Sequence, residues 1–202
     1  MRSQKSSSVN HRFAPEIRAK LQESIQTKEA VLKDLVPVIE KAAQLFLQAL
    51  RSGRKILLFG NGGSAADSQH IAAELVGRLC LERRALPAIA LTTDTSNLTA
   101  LGNDFGYDTV FQRQIEALGS SGDLAVGIST SGNSPNVLAA IRAARRKGLK
   151  TMALTGHGGG KLAGLVDCAI VIPSDNTQRI QESHITIGHI VCELVEAQFV
   201  SR

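Results

Sequence analysis

From residue 55 onward, short apolar runs return at regular intervals: KILLFG at 55–60, PAIAL at 87–91, DLAVGIS at 123–129, KTMALTG at 150–156 and CAIVIPS at 168–174. Between them, segments with apolar residues three and four apart fall at about 64–79, 108–118 and 135–147, and a long one closes the chain at about 178–200. Continuous apolar runs are the mark of strands buried on both faces, and their alternation with helices makes them parallel. The expected fold is therefore α/β: a three-layer, doubly wound, five-stranded parallel sheet. Ahead of it, Ile17, Leu21, Ile25, Leu32, Leu35, Ile39, Ala43, Phe46 and Leu50 keep helical spacing, and Pro37 divides that segment into two helices. Residues 1–12, polar and charged, read as a flexible tail, and 13–202 as a single domain including the N-terminal helices.

Composition narrows the class of partner. With 202 residues, 43% hydrophobic and 20% charged, the chain can bury a core. No apolar run nears the roughly 18 residues of a membrane span, so no membrane partner is expected. The polar, basic start MRSQKSSSVNHRF lacks the apolar segment of an export signal, which makes the cytoplasm the expected location. The net charge of +5 suits anionic small molecules. With one Tyr and no Trp there is no stacking platform for bases, so the clusters Arg83–Arg84 and Arg145–Arg146–Lys147 read as solvated faces and no nucleic-acid partner is expected. Cys80, Cys168 and Cys192, odd in number and set among apolar residues, read as core or near-core packing residues.

Ligands of doubly wound sheets bind beyond the carboxyl ends of the strands. The first run ends in Gly60-Asn61-Gly62-Gly63-Ser64, where glycines allow close approach to main-chain N–H groups, with Ser64 as the expected helix cap and Asp67 as its capping-box partner. Plain turn chemistry accounts for this loop as well as a ligand does. The third run ends in Ser129-Thr130-Ser131-Gly132-Asn133-Ser134-Pro135, with Pro135 at the first helical position and Ser134 as cap. Four hydroxyls at a helix start make a phosphate cradle that needs neither metal nor arginine. The chain lacks a G-x-x-x-x-G-K-[ST] loop, which disfavours a nucleoside triphosphatase. A nicotinamide dehydrogenase is disfavoured too, because Asp94 lies about 30 residues past Gly62 where about 20 is required.

Two helices carry polar groups at suggestive positions. His70 and Glu74, four apart, share a face that Asp67 joins; a divalent metal, a general base or a surface ion pair would all use that spacing. On the last helix, Glu182 and His189 differ by roughly 20° around the axis and Gln181 and His189 by roughly 80°, so spacing favours Glu182 as the partner of His189. His184 and His189 could equally be packing residues.

The blocks GNGGSAADSQHIAAELVGR, LTALGNDFGYDTVF, GISTSGNSPNVLAAI, TGHGGGKLAG and RIQESHITIGHIVCELVE, in this order, resemble the phosphoheptose isomerase family of the sugar isomerase (SIS) fold. The likeness spans about residues 15–200. It implies conversion of sedoheptulose 7-phosphate to D-glycero-D-manno-heptose 7-phosphate for bacterial surface polysaccharide (lipopolysaccharide), by a homotetramer. Asn61, Gly62, Gly63, Asn103 and Asp104 would then meet the sugar, and Ser129, Thr130, Ser131 and Ser134 the phosphate. The resemblance assigns His70, Glu74, Gln181 and His189 as ligands of one zinc per subunit, with Gln181 also near substrate, and so overrules the angular preference for Glu182. Gln178 stands where some members have an acidic residue, and one extra residue sits within Thr92–Thr99. The alternative is a non-catalytic SIS protein that binds a phosphosugar or the replication initiator; that branch lacks equivalents of Glu74 and His189, both present here. For an aldose–ketose isomerase working through an enediol, Glu74 is the expected base and His189 the expected acid.

Overall fold

The computed structural model describes residues 12–200. The expected tail at 1–12 lies, apart from Arg12, outside them. Two helices, α1 (Ala14–Asp34) and α2 (Val36–Arg51), precede the sheet, with the break at Leu35, two residues before Pro37. Proline there cannot supply the N–H that a continuous helix would need, but fits the first turn of a new one.

The five apolar runs form β1 (Ile56–Gly60), β2 (Ala88–Ala90), β3 (Leu124–Ser129), β4 (Lys150–Thr155) and β5 (Cys168–Val171), all parallel, in the order β2-β1-β3-β4-β5. Every residue of β1 and β3 is buried, as their unbroken apolar character requires. The connections are α3 (Gly63–Val76), α4 (Thr95–Phe105), α5 (Val110–Leu118), α6 (Pro135–Arg146), the short α7 (Gly160–Ala163) and α8 (Thr177–Glu196). One core packs α2, α3 and α8 on one face through Phe46, Leu50, Ile71, Leu75, Ile187 and Val191. The other packs α5 and α6 on the opposite face through Phe59, Phe111, Ile115, Val137 and Ile141. The chain leaves β1 for one face and β3 for the other, so their carboxyl ends frame the topological switch point.

Helix α4 has no counterpart in the sequence reading. Asp94 caps it by accepting from the backbone N–H of Asn97 at 2.9 Å; none of its residues is fully buried, and only Leu98 and Leu101 pack, partly buried, against the second core. Cys168 and Cys192 are buried as expected, whereas Cys80 is exposed in the loop after α3. No helix of the described residues is long and apolar enough to cross a membrane.

His184 is fully buried on α8 and donates from Nε2 to the carbonyl of Thr155, the last residue of β4, at 3.2 Å. Burial lowers its pKa to about 4 from 6.5, against the opposing pull of that carbonyl. The unfolded chain therefore binds the proton first, and stability is lost as pH falls from 6.5 towards 4. Replacing His184 by Gln flattens that part of the pH dependence, which urea midpoints measured between pH 7 and 4.5 will read.

Candidate active site

The glycine loop turns the chain from β1 into α3 without the expected cap. Gly62 occupies the cap position at φ 57°, Gly63 is the first helical residue, and Ser64 is buried inside the first turn, where its carbonyl accepts from Ser68 Oγ at 2.8 Å. A residue with a side chain would strain that φ, so glycine fixes the geometry of the turn. Asp67 makes no capping contact; half-buried, it keeps one unpartnered carboxylate oxygen among the described residues. Burial raises its pKa, with the nearby His70 opposing.

Asn61 is held from two sides. It exchanges amide hydrogen bonds with the buried Asn136 of α6, each donating to the other at 2.9 Å, and accepts from Tyr107 Oη at 3.3 Å. Through Tyr107 the segment after α4 meets the glycine loop, and through Asn136 the start of α6 does. Asn103 and Asp104 lie exposed in the last turn of α4, where Asn103 Nδ2 donates to Asp104 Oδ1 at 2.8 Å. Sequence reasoning missed Asn136 and Tyr107, which touch Asn61; Asn136 sits among apolar residues, and only the partner across the crevice reveals its use.

The hydroxyl loop is compact. Ser129 Oγ and Ser134 Oγ lie 2.9 Å apart, Ser131 Oγ is 3.5 Å from Ser129 Oγ, and Ser131 Oγ accepts from the N–H of Asn133 at 3.2 Å. Ser134 is the residue before α6 and Pro135 its first, but the Ser134 hydroxyl makes no capping bond and turns into the loop. Gly132, at φ 63°, packs so close to the segment after β4 that an added Cβ would fall 2.1 Å from the carbonyl oxygen of Gly159. Thr130 is pinned through its own carbonyl, which accepts from Gly156 N at 2.9 Å. Hydroxyls and a helix N-terminus thus converge beside the switch point, a surface suited to a phosphate dianion.

A second group of donors forms where α3 crosses α8. His70 Nε2 lies 2.8 Å from His189 Nε2 and 3.1 Å from Glu74 Oε1, the two rings meeting edge to face at 4.9 Å. One donor atom from each of the three residues lies within 4.8 Å of the others. Tetrahedral ligands about 2 Å from a zinc ion stand roughly 3.3 Å apart, so two imidazole nitrogens and one carboxylate oxygen at these separations fit such an ion in number, type and spacing.

Gln181 lies nearer the start of α8. It packs against the start of α3, close enough that a Cβ on Gly63 would fall 2.6 Å from its Nε2. Eight residues separate it from His189, about 12 Å of helix rise. Glu182, favoured by the angular estimate, is engaged elsewhere: its Oε1 accepts from Arg179 Nη2 at 2.6 Å and its Oε2 from Ser24 Oγ of α1 at 2.7 Å. Gln178 is exposed at the helix start.

The SIS domain family matches residues 21–156. A phosphoheptose isomerase of Geobacter sp. strain M21 is 55% identical over 183 residues, covering 91% of this chain and 95% of that relative. One from Pelobacter propionicus is 58% identical over 168 residues, 83% of this chain and 89% of the relative. The chain belongs to the phosphoheptose isomerase family. Within that family, the solved structure of the phosphoheptose isomerase from Neisseria gonorrhoeae superposes with a TM-score of 0.87 at 47% identity, covering 92% of this chain and 99% of that one.

Arg83 is a correction to the reading of its cluster as a solvated face. Its side chain is 1% exposed and lies 3.4 Å from Glu196 at the end of α8, itself 1% exposed. Sequence reasoning had no signal for this pair, since adjacent charges usually mark a surface.

Truncating Asn136 to Ala removes both amide bonds to Asn61 and leaves the N–H of Val137 without its side-chain acceptor. We expect a stability loss of about 1–3 kcal/mol by chemical denaturation, and a higher KM for any sugar that Asn61 contacts.

Proposed function

We propose that this phosphoheptose isomerase family member interconverts sedoheptulose 7-phosphate and D-glycero-D-manno-heptose 7-phosphate, supplying heptose to surface lipopolysaccharide. The observation that carries the reading is the meeting of His70, Glu74 and His189 donor atoms across α3 and α8. A phosphosugar-binding protein would need the cradle but not that trio.

In this reading Ser129, Thr130, Ser131 and Ser134 anchor the phosphate at the start of α6. Asn61, Gly62, Gly63, Asn103, Asp104 and Gln181 meet the sugar chain and orient it. Glu74 is the base: its carboxylate takes a proton from one of the two carbons C1 and C2, exchanges it with solvent, and delivers a proton to the other. His189 is the acid, moving protons between the oxygens of the enediol. His70, Glu74 and His189, with Gln181 as the fourth ligand, hold one zinc per subunit. Zinc, when bound, would polarise the carbonyl as a Lewis acid and steady the negative charge that develops on its oxygen. With Nε2 of His189 committed to the ligand set, Nδ1 is the ring nitrogen left to carry the proton.

A homotetramer is the assembly we assign. Phe13, just before α1, and Ile17, Leu21, Ile25 and Leu32 along it stand exposed, an apolar stripe that a second copy would cover. The fold reads as one domain from residue 13 to the C-terminus, working in the cytoplasm.

Incubation of the purified protein with sedoheptulose 7-phosphate, followed by product analysis, is expected to yield the aldoheptose phosphate; binding without turnover would contradict the enzyme. Replacing Glu74 by Gln is expected to lower kcat by about 10²–10⁴-fold while substrate binding survives. Near-normal turnover would remove Glu74 as the base. Elemental analysis is expected to find one zinc per subunit, with activity lost to chelators and restored by zinc. Absence of zinc together with indifference to chelators would defeat the metal assignment.

A further inference from the structure

The trio on α3 and α8 depends on the distance between two helices, and one buried device ties their far ends together. Helix α3 ends at Val76 with no basic residue in its last turn. Its exposed carbonyls are met instead from the loop that follows. Arg83 donates from Nη2 to the carbonyl of Glu74 at 2.6 Å, and from Nη1 to that of Gly77 at 2.7 Å and of Arg84 at 3.0 Å. Leu86 N donates to the carbonyl of Leu75 at 3.0 Å. The guanidinium that grips the peptide of Glu74 is balanced by Glu196 on α8.

Glu196 is equally committed. Its carboxylate accepts from the N–H groups of Leu79 and Cys80 at 2.8 Å and of Leu81 at 2.7 Å, so the loop after α3 folds around the end of α8. A carboxylate at a helix C-terminus opposes the macrodipole and is costly to bury, which only such a full set of donors offsets. Although burial alone would raise its pKa, these three N–H groups and Arg83 hold it below the ordinary carboxylate range. Glu196 follows His189 by seven residues, which places the two within about 20° around the helix axis. The same pair of helix faces therefore carries the trio and, beyond it, the clamp.

We propose that the buried Arg83–Glu196 pair is a positioning device for the active site, fixing the α3–α8 spacing at which His70, Glu74 and His189 meet. The inference rests on the assignment of those three residues to catalysis and metal binding. Geometric tolerance at such sites is about 0.5 Å, and displacements of about 1 Å from remote substitutions can cost 100-fold in rate. Arg83 acts through the backbone of Glu74 and touches no reacting atom. Lysine at 83 would keep the charge opposite Glu196 but lacks the rigid two-nitrogen fork that reaches the carbonyls of Glu74 and Gly77.

The test compares Arg83→Lys with Asp123→Asn. Asp123 is a matched control: it is 1% exposed, pairs with Lys55 Nζ at 2.7 Å, and accepts from the N–H groups of Lys55 and Ser120, with no bond to α3 or α8. Three readouts are taken well below both melting temperatures. Arg83→Lys is expected to lower kcat at least tenfold with KM for sedoheptulose 7-phosphate within about threefold, because the phosphate cradle is untouched. It is also expected to weaken zinc binding, titrated against a competing chelator, by about tenfold or more, as loss of outer-shell support does. In metal-free protein, the ¹⁵N NMR signals of His70 and His189 are expected to report their shared hydrogen bond in the wild type and in Asp123→Asn, but not in Arg83→Lys. If both variants lose melting temperature alike while kcat, zinc affinity and the imidazole signals stay unchanged, the pair is structural and the proposal is overturned. If the wild type neither turns over substrate nor binds zinc, the functional reading fails, and the imidazole signals alone decide the positioning role.

Discussion

Two imidazole nitrogens 2.8 Å apart, one on α3 and one on α8, exist only if those helices are held at one spacing. The two are far apart in sequence, and nothing local sets their separation. Their shared core does: Ile71 and Leu75 of α3 and Ile187 and Val191 of α8 pack into the same cluster over the sheet. Gly188, next to His189, lets α8 approach Ile71 so closely that a Cβ there would stand 2.9 Å from its Cδ1. Apolar packing brings the helices together, the missing side chain sets how near, and the buried Arg83–Glu196 pair ties their ends.

The second constraint is topological. Because the chain leaves β1 and β3 towards opposite faces, a crevice opens between their carboxyl ends, and both functional loops border it. The reciprocal amide pair of Asn61 and Asn136 closes its floor, joining the glycine loop to the start of α6. A hydroxyl-rich cradle for phosphate and a polar loop for sugar are thus fixed relative to each other by a pair of partly buried hydrogen bonds. Gln181, packed at Gly63, reaches this crevice from α8 and lies about 12 Å of helix rise from His189.

Much of this was legible in the residues. The five strands announced themselves as short apolar runs, unbroken in β1 and β3 because both are buried throughout, and α6 because Pro135 follows a serine shortly after a strand end. The His70–Glu74 spacing placed the two side chains side by side on α3, and they lie 3.1 Å apart. What failed did so where the cause lies elsewhere in the chain. Helix α4 fully buries no residue, and its apolar pattern is only the short run Leu98, Leu101 and Phe105. Arg83 looks like surface because its counter-ion is on the last helix, and Ser64 looks like a cap because its sequence cannot say that Gly62 takes that position at φ 57°. The angular preference for Glu182 counted rotation about α8 but not what faces it: Arg179 beside it and Ser24 on α1 claim both carboxylate oxygens.

The central claim is that Glu74 carries a carbon-bound proton through an enediol at the α3–α8 crossing. Recovering sedoheptulose 7-phosphate after incubation in D₂O tests it at the level of the bond. The account predicts deuterium at C1 of the recovered ketose with the wild-type protein and none with Glu74→Gln. Deuterium incorporated equally by both, or aldose formed by the wild type with direct transfer of the original hydrogen and no solvent exchange at any conversion, would contradict it.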